Sequence, residues 1–138
     1  MTPLWHYTCR CSLRGIDTAG RLLPTRRHTP GAVGRIKPAY RWMLDLIWLT
    51  DLAEPDGPAL GLTRRTIACD RTEHRYRVTG GRCLRWAAYA RGRVDRGQRE
   101  RLEAEPGGVP AHWWVATGPV PVVYDPLAPA SARITAAS

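Results

Sequence analysis

The stretch Leu4–Trp5–His6–Tyr7–Thr8 decides how the rest of the chain is read. It is an apolar run of β-favouring side chains that sets a histidine and a threonine two positions apart. Side chains alternate between the two faces of a strand, so His6 and Thr8 point one way while Trp5 and Tyr7 point the other. Pro3 suits the start of a strand, because a proline has no N–H to give to a ladder. A strand with a polar pair on one face and aromatics on the other is expected to border a cleft.

Outward from this stretch, the length of 138 residues predicts one domain. A chain of this size buries about two-thirds of its unfolded surface. A single domain is expected over residues 1–127, with an alanine- and serine-rich tail over 128–138. No apolar run approaches the ~20 residues of a membrane span, and Met1–Thr8 lacks a basic-then-apolar leader layout. A cytoplasmic protein without membrane association is therefore expected. The net charge of +9 points toward a polyanionic partner, yet Lys37 is the only lysine, and Phe and Asn are absent. GC-rich codon usage produces that pattern, which leaves an anion-binding face and a solvated arginine surface both open. Cys9, Cys11, Cys69 and Cys83 lack the paired two-residue spacing of a zinc knuckle, so no metal is expected.

In chain order, Ser12–Ala19 reads as a short helix, with Ser12 as N-cap, Leu13 and Ile16 on one face, and Gly20 closing it in a left-handed conformation. Thr25–Pro38 carries Arg26, Arg27, His28, Arg35 and Lys37 between prolines and glycines with no periodicity, which predicts a mobile loop. Its Arg26, Arg27, Arg35 and Lys37 are the candidate macromolecule-binding residues. Leu46–Asp51 is apolar throughout and ends in a polar pair, the pattern of a central strand buried on both faces. Asp51 is placed to cap the following turn, and Pro58–Leu62 reads as one helical turn.

Thr66–Cys69 and Arg75–Val78 read as short strands, Asp95–Ala104 as a charged helix, and His112–Ala116 and Val120–Tyr124 as the last two strands. Pro119 and Pro121 place the final strand at a sheet edge. Trp113 and Trp114 should send one ring into a core and the other to the opposite face. Arg71, Arg75 and Arg77 suit either a pyrophosphate grip or a solvated face, and His112 either acid–base chemistry or plain exposure. The expected class is α+β, a mainly antiparallel sheet with short helices.

Leu4–Thr8, followed by Ile16, Gly20, Leu22 and Pro24, resembles the opening of the ADP-ribosyltransferase fold. Poly(ADP-ribose) polymerases carry an LWHG[ST] strand there, and DarT-like branches an HxT-like one. Ile47–Trp48–Leu49–Thr50–Asp51 is similar to the later GxYFAD strand, and His112–Trp113–Trp114–Val115 to the NEYIVYD strand. As a whole the chain resembles small proteins of actinobacteria and their phages. The resemblance implies a split antiparallel sheet and NAD as cofactor.

It also implies roles. His6 and Thr8 would grip the adenosine ribose, the Tyr7 backbone the nicotinamide amide, and Trp48 the nicotinamide ring, with His6, Trp48 and an acid converging on one pocket. Cleaving NAD builds positive charge on the sugar, which the site must stabilise. His6, Thr8 and His112 are the catalytic candidates; His6, Tyr7, Thr8, Trp48, Arg71 and Arg77 are the cofactor-binding ones. Where the family has its glutamate this chain has Ala111 and His112, and Tyr7 replaces a glycine. Asp51, Asp70, Glu103 and Glu105 are the acids left to act instead. Two functions follow: a toxin-like or phage-encoded mono-ADP-ribosyltransferase modifying a nucleic acid or protein, or a non-catalytic basic module of the same fold binding nucleic acid or a partner protein.

Overall fold

Trp5–Thr8 forms a strand, β1, in the middle of an antiparallel sheet. The computed structural model describes residues 2–28, 30–60 and 71–127. Among the described residues the sheet has seven strands, the others being β2 (Arg21–Leu22), β3 (Ile47–Thr50), β4 (His74–Val78), β5 (Leu84–Arg85), β6 (Trp113–Ala116) and β7 (Val120–Tyr124). Their order is β2-β7-β4-β1-β3-β6-β5, each neighbouring pair antiparallel. Short helices α1 (Leu13–Ala19), α2 (Thr25–His28), α3 (Trp86–Ala90) and α4 (Arg96–Glu103) complete the expected α+β class.

The sheet is zipped unevenly. β1 pairs with β4 over all four residues, from Trp5↔Arg77 to Thr8↔His74, and β3 pairs with β6 from Ile47↔Ala116 to Thr50↔Trp113. Between β1 and β3 the register contains one pair, Trp5↔Thr50. Two well-paired halves, β2-β7-β4-β1 and β3-β6-β5, thus meet at a single bridge and part toward Thr8.

Alternation assigns the faces. Residues directly opposite each other across a ladder share a face. Leu4, Leu49, Tyr76, Val120 and Val122 therefore fall on one side, where with Leu22, Ile47 and Ala116 they form a core that α1 covers through Leu13 and Ile16. Trp113 and Val115 fall on the other side and join Leu46, Trp86 and Ala90 in a second core, with Trp42, Trp48 and Tyr89 packed against it. Trp86 is wholly buried; its ring stacks on Trp42 at 5.8 Å and tilts against Trp48 at 5.0 Å. Each such aromatic pair contributes about 0.5–1.5 kcal/mol beyond area burial. β3 is buried on both faces, as its unbroken apolar run requires. Trp113 enters one core and Trp114 packs against the other.

Local readings fare unevenly. Gly20 closes α1 at φ 67°, but Ser12 makes no side-chain cap and ends a 3-10 turn, Arg10–Ser12. Asp95 caps α4 by accepting from the Gln98 N–H. Pro58–Leu60 makes the expected single turn.

The basic stretch is not a loop. It folds into α2 and the 3-10 turns Pro30–Arg35 and Pro38–Asp45, since a proline's fixed φ suits a first helical position and needs no N–H there. β7 is not the sheet edge, because β2 pairs outside it through Arg21↔Pro121 and Leu22↔Val120. Pro121 is tolerated because it lies at the end of the β4–β7 ladder, where it only accepts, from the Thr79 N–H at 3.0 Å. The expected strand Thr66–Cys69 and the tail 128–138 lie outside the described residues.

Tyr76 ties the first core to α1, donating its phenol to Asp17 at 2.6 Å. Burial, and then that carboxylate, pushes the Tyr76 phenol far above the ordinary tyrosine range. The folded protein thus keeps a proton that the unfolded chain loses above about pH 10. Stability should be level up to that pH and then fall by about 1.4 kcal/mol per pH unit for this group. Urea titrations from pH 7 to 11 should show that fall, with Tyr76→Phe losing about 1 kcal/mol at pH 7 and having a shallower alkaline slope.

Candidate functional site

The parting of β1 from β3 has a side chain in it. Val78 N–H donates to the Leu4 carbonyl at 2.9 Å, so Leu4, His6 and Thr8 turn their backbone groups toward β4. Trp5 and Tyr7 turn theirs toward β3. Trp5 meets Thr50, but at the next step His6 Nδ1 lies 2.8 Å from the Trp48 carbonyl oxygen. The imidazole takes the acceptor that the Tyr7 N–H would bond in a continuous ladder. A carbonyl only accepts, so Nδ1 carries the hydrogen. The Tyr7 peptide faces the opening, beyond the last β1–β3 pair.

His6 and Thr8 share a face, as alternation requires, with Thr8 5% exposed. His6 and Trp48 do not form facing walls. Extending the Trp5↔Thr50 register sets His6 opposite Leu49 and Tyr7 opposite Trp48, so imidazole and indole leave opposite faces of the sheet. The Trp48 ring is packed against Trp86 and stands edge-on to Trp113 at 6.3 Å. The expected convergence of the two rings on one pocket fails for this reason. What adjoins His6 is the Trp48 backbone.

The Trp5–Tyr7 face carries a polar network. Trp5 Nε1 donates to Asp125 at 2.9 Å, and Arg75 pairs with the same carboxylate at 3.3 Å while lying 5.5 Å over the Trp5 ring. Arg75 also donates to the Ala53 carbonyl at 2.6 Å, and the Tyr7 hydroxyl donates to the Leu52 and Ala53 carbonyls. Desolvation pushes the Tyr7 phenol up, against the pull of Arg75. These bonds fasten the segments that follow β3 and β7 across β1.

A second titratable pair was only half legible. Among the described residues Asp51 caps no turn; Thr50 Oγ1 accepts from the Leu52 N–H instead. The Asp51 carboxylate receives His112 Nδ1 at 2.6 Å and Trp114 Nε1 at 3.2 Å, and the Asp51 N–H donates to the His112 carbonyl. It extends the β3–β6 ladder one step past Thr50↔Trp113, joining two residues that the sequence singled out separately. The carboxylate is 14% exposed and the imidazole 43%. Held through Nδ1, the ring directs Nε2 away from Asp51.

The remaining candidates scatter. Glu103 pairs with Arg99 on α4 at 3.0 Å, Glu105 follows that helix, and Asp70 lies outside the described residues. Arg71 precedes β4 rather than sharing it, and Arg77 faces the Trp5 side, away from His6. Arg26 is held by Asp45 at 2.5 Å and by the Arg41 carbonyl, whereas Arg27, Arg35 and Lys37 are exposed.

A cavity of about 570 Å3 opens where β1, β4 and β6 approach one another, lined by Leu4, Val78, Cys83, Trp114 and the Gly80–Gly81 turn. Nothing in the sequence pattern marked it, because its walls come from three separate segments. Burial pushes the Cys83 thiol up, so this wall stays uncharged at neutral pH. No helix among the described residues is long and apolar enough to cross a membrane. No protein-family model matches the chain significantly, and neither does any curated protein or solved structure.

Asp51→Asn sets an amide N–H against at least one existing donor and should cost about 1–3 kcal/mol in urea unfolding. His112→Gln keeps a donor and should cost under about 1 kcal/mol.

Proposed function

We propose that the protein is an NAD-dependent mono-ADP-ribosyltransferase of ADP-ribosyltransferase-like fold, acting on a nucleic acid or protein. The observation that carries this reading is the sheet opening between β1 and β3 with His6 set inside it. The fit to NAD rests on the Tyr7 peptide, whose N–H and C=O face that opening past the end of the ladder. One donor and one acceptor side by side are what a primary amide such as nicotinamide's requires. The LWHxT pattern around His6 and the antiparallel split agree with it.

Bound NAD supplies an ADP-ribosyl group, whose bond to nicotinamide breaks while one to an acceptor oxygen or nitrogen forms. His6, its ring fixed by the Trp48 carbonyl, is pre-oriented to hold a ribose hydroxyl, with Thr8 beside it on the same face. Of the described acids in play, Asp51, Glu103 and Glu105, Asp51 alone sits at the end of a strand adjoining β1, and it orients His112. His112 Nε2 is the group that takes the acceptor's proton. Trp48 contributes its carbonyl, since its ring is engaged in the aromatic core.

Incubation with labelled NAD and cell lysate should move label to a macromolecule and release nicotinamide. His6→Ala should slow the release about a hundredfold. His6→Gln, which keeps a donor toward the Trp48 carbonyl, controls for folding. A wild-type protein that neither binds NAD nor releases nicotinamide with any lysate sinks the reading and leaves a non-catalytic basic module.

A further inference from the structure

The cavity described above lies apart from the β1–β3 opening, and its chemistry is two-sided. Its walls are apolar, with the Trp114 indole as the flat one. Its rim is cationic. Arg77 lines it, Arg82 stands between the lining residues Gly81 and Cys83, and the Arg85 guanidinium lies 4.8 Å over the Trp114 ring. Arg85 and Trp114 are directly opposite across the β5–β6 ladder, so the stack is set by backbone register rather than by a floppy side chain. All three arginines are exposed, and none makes an ion pair among the described residues.

Asp51, the carboxylate bonded to the Trp114 wall, is already committed to Trp114 and His112. An aromatic wall with the unpaired Arg85 guanidinium set over it matches a planar base carrying a phosphate. The volume falls within the roughly 300–1,000 Å3 of small-ligand sites. From Trp114 the bonded path reaches His112 through one shared carboxylate, Asp51.

We propose that this cavity is a nucleotide-binding pocket that receives one unit of a single-stranded nucleic acid, placing the neighbouring unit at His112. The inference rests on the transferase reading, and it names the acceptor as nucleic acid. It moves the docking surface from Arg27, Arg35 and Lys37 to the β4–β5 turn and the β5 edge.

The test is fluorescence anisotropy with fluorescein-labelled mixed-sequence DNA and RNA 12-mers at 50 mM salt, in buffer free of NAD. Arg82→Ala/Arg85→Ala should weaken binding at least fivefold, whereas Arg27→Ala/Lys37→Ala should change it less than twofold. Thr79→Trp, which sets a bulky ring at the exposed mouth without touching a core, should weaken it as much. AMP and GMP should compete, and inorganic phosphate or polyglutamate at equal charge should not. The log–log salt slope should fall by about 1.4 in the double arginine variant, the value for two phosphate contacts on a single strand. Absent oligonucleotide binding, unaffected binding in Thr79→Trp, or competition by polyglutamate alone overturns the pocket. A free-mononucleotide pocket is the result if AMP binds and the 12-mers do not, and that also overturns it. Because NAD is absent, failure here leaves nicotinamide release untouched, and failure of nicotinamide release leaves this binding measurable.

Discussion

A single hydrogen bond from an imidazole to a peptide carbonyl governs the architecture. His6 Nδ1 occupies the Trp48 oxygen, an acceptor that a continuous sheet would give to a backbone N–H. Past that point β1 and β3 share no pair, and the sheet becomes two halves joined at Trp5↔Thr50. A buried carbonyl left without a donor costs about 1–3 kcal/mol, so the ring both opens the sheet and satisfies the group that the opening strands.

The two faces of the sheet then carry separate cores. α1 seals one face through Leu13 and Ile16, while α3 and the turn Pro38–Asp45 bring Trp86 and Trp42 to the other. β3 borders both cores and must be apolar on each side, which is why Ile47, Leu49, Leu46 and Thr50 are all buried. The outer face of β1 is closed by polar groups. Asp125, Arg75 and Tyr7 draw the chain after β3 and after β7 across the strand. Every polar atom named in that network has a partner, the condition under which such a network specifies a structure.

The chemistry gathers at the borders of the two halves. His6 stands in the opening, and Asp51 with His112 stands one strand away at the end of β3 and β6. Trp114 links that pair to the cavity and to Arg85. An imidazole oriented by a carboxylate next to a cationic rim is what the proposed transfer to a polyanion would use. Its parts come from residues 51, 85, 112 and 114, and only the antiparallel order of β3, β6 and β5 makes them neighbours.

The alternation in Leu4–Thr8, the unbroken apolar run at Leu46–Asp51 and the glycine after Ala19 were enough to read a central antiparallel sheet and the end of α1, because each is a local backbone requirement. Local pattern also placed His6 with Thr8 and parted Trp113 from Trp114. It misled where a distant partner outweighed propensity: at Asp51, which bonds His112 rather than a turn; at Val120–Tyr124, covered by the two-residue β2; and at Arg26, fastened to Asp45 in helical turns. The pairing of His6 with Trp48 as facing rings failed because facing is a property of register between strands 42 positions apart. Which way a residue points along its own strand is written in the sequence, but which strand lies beside it, and at what offset, is decided when the chain closes on itself.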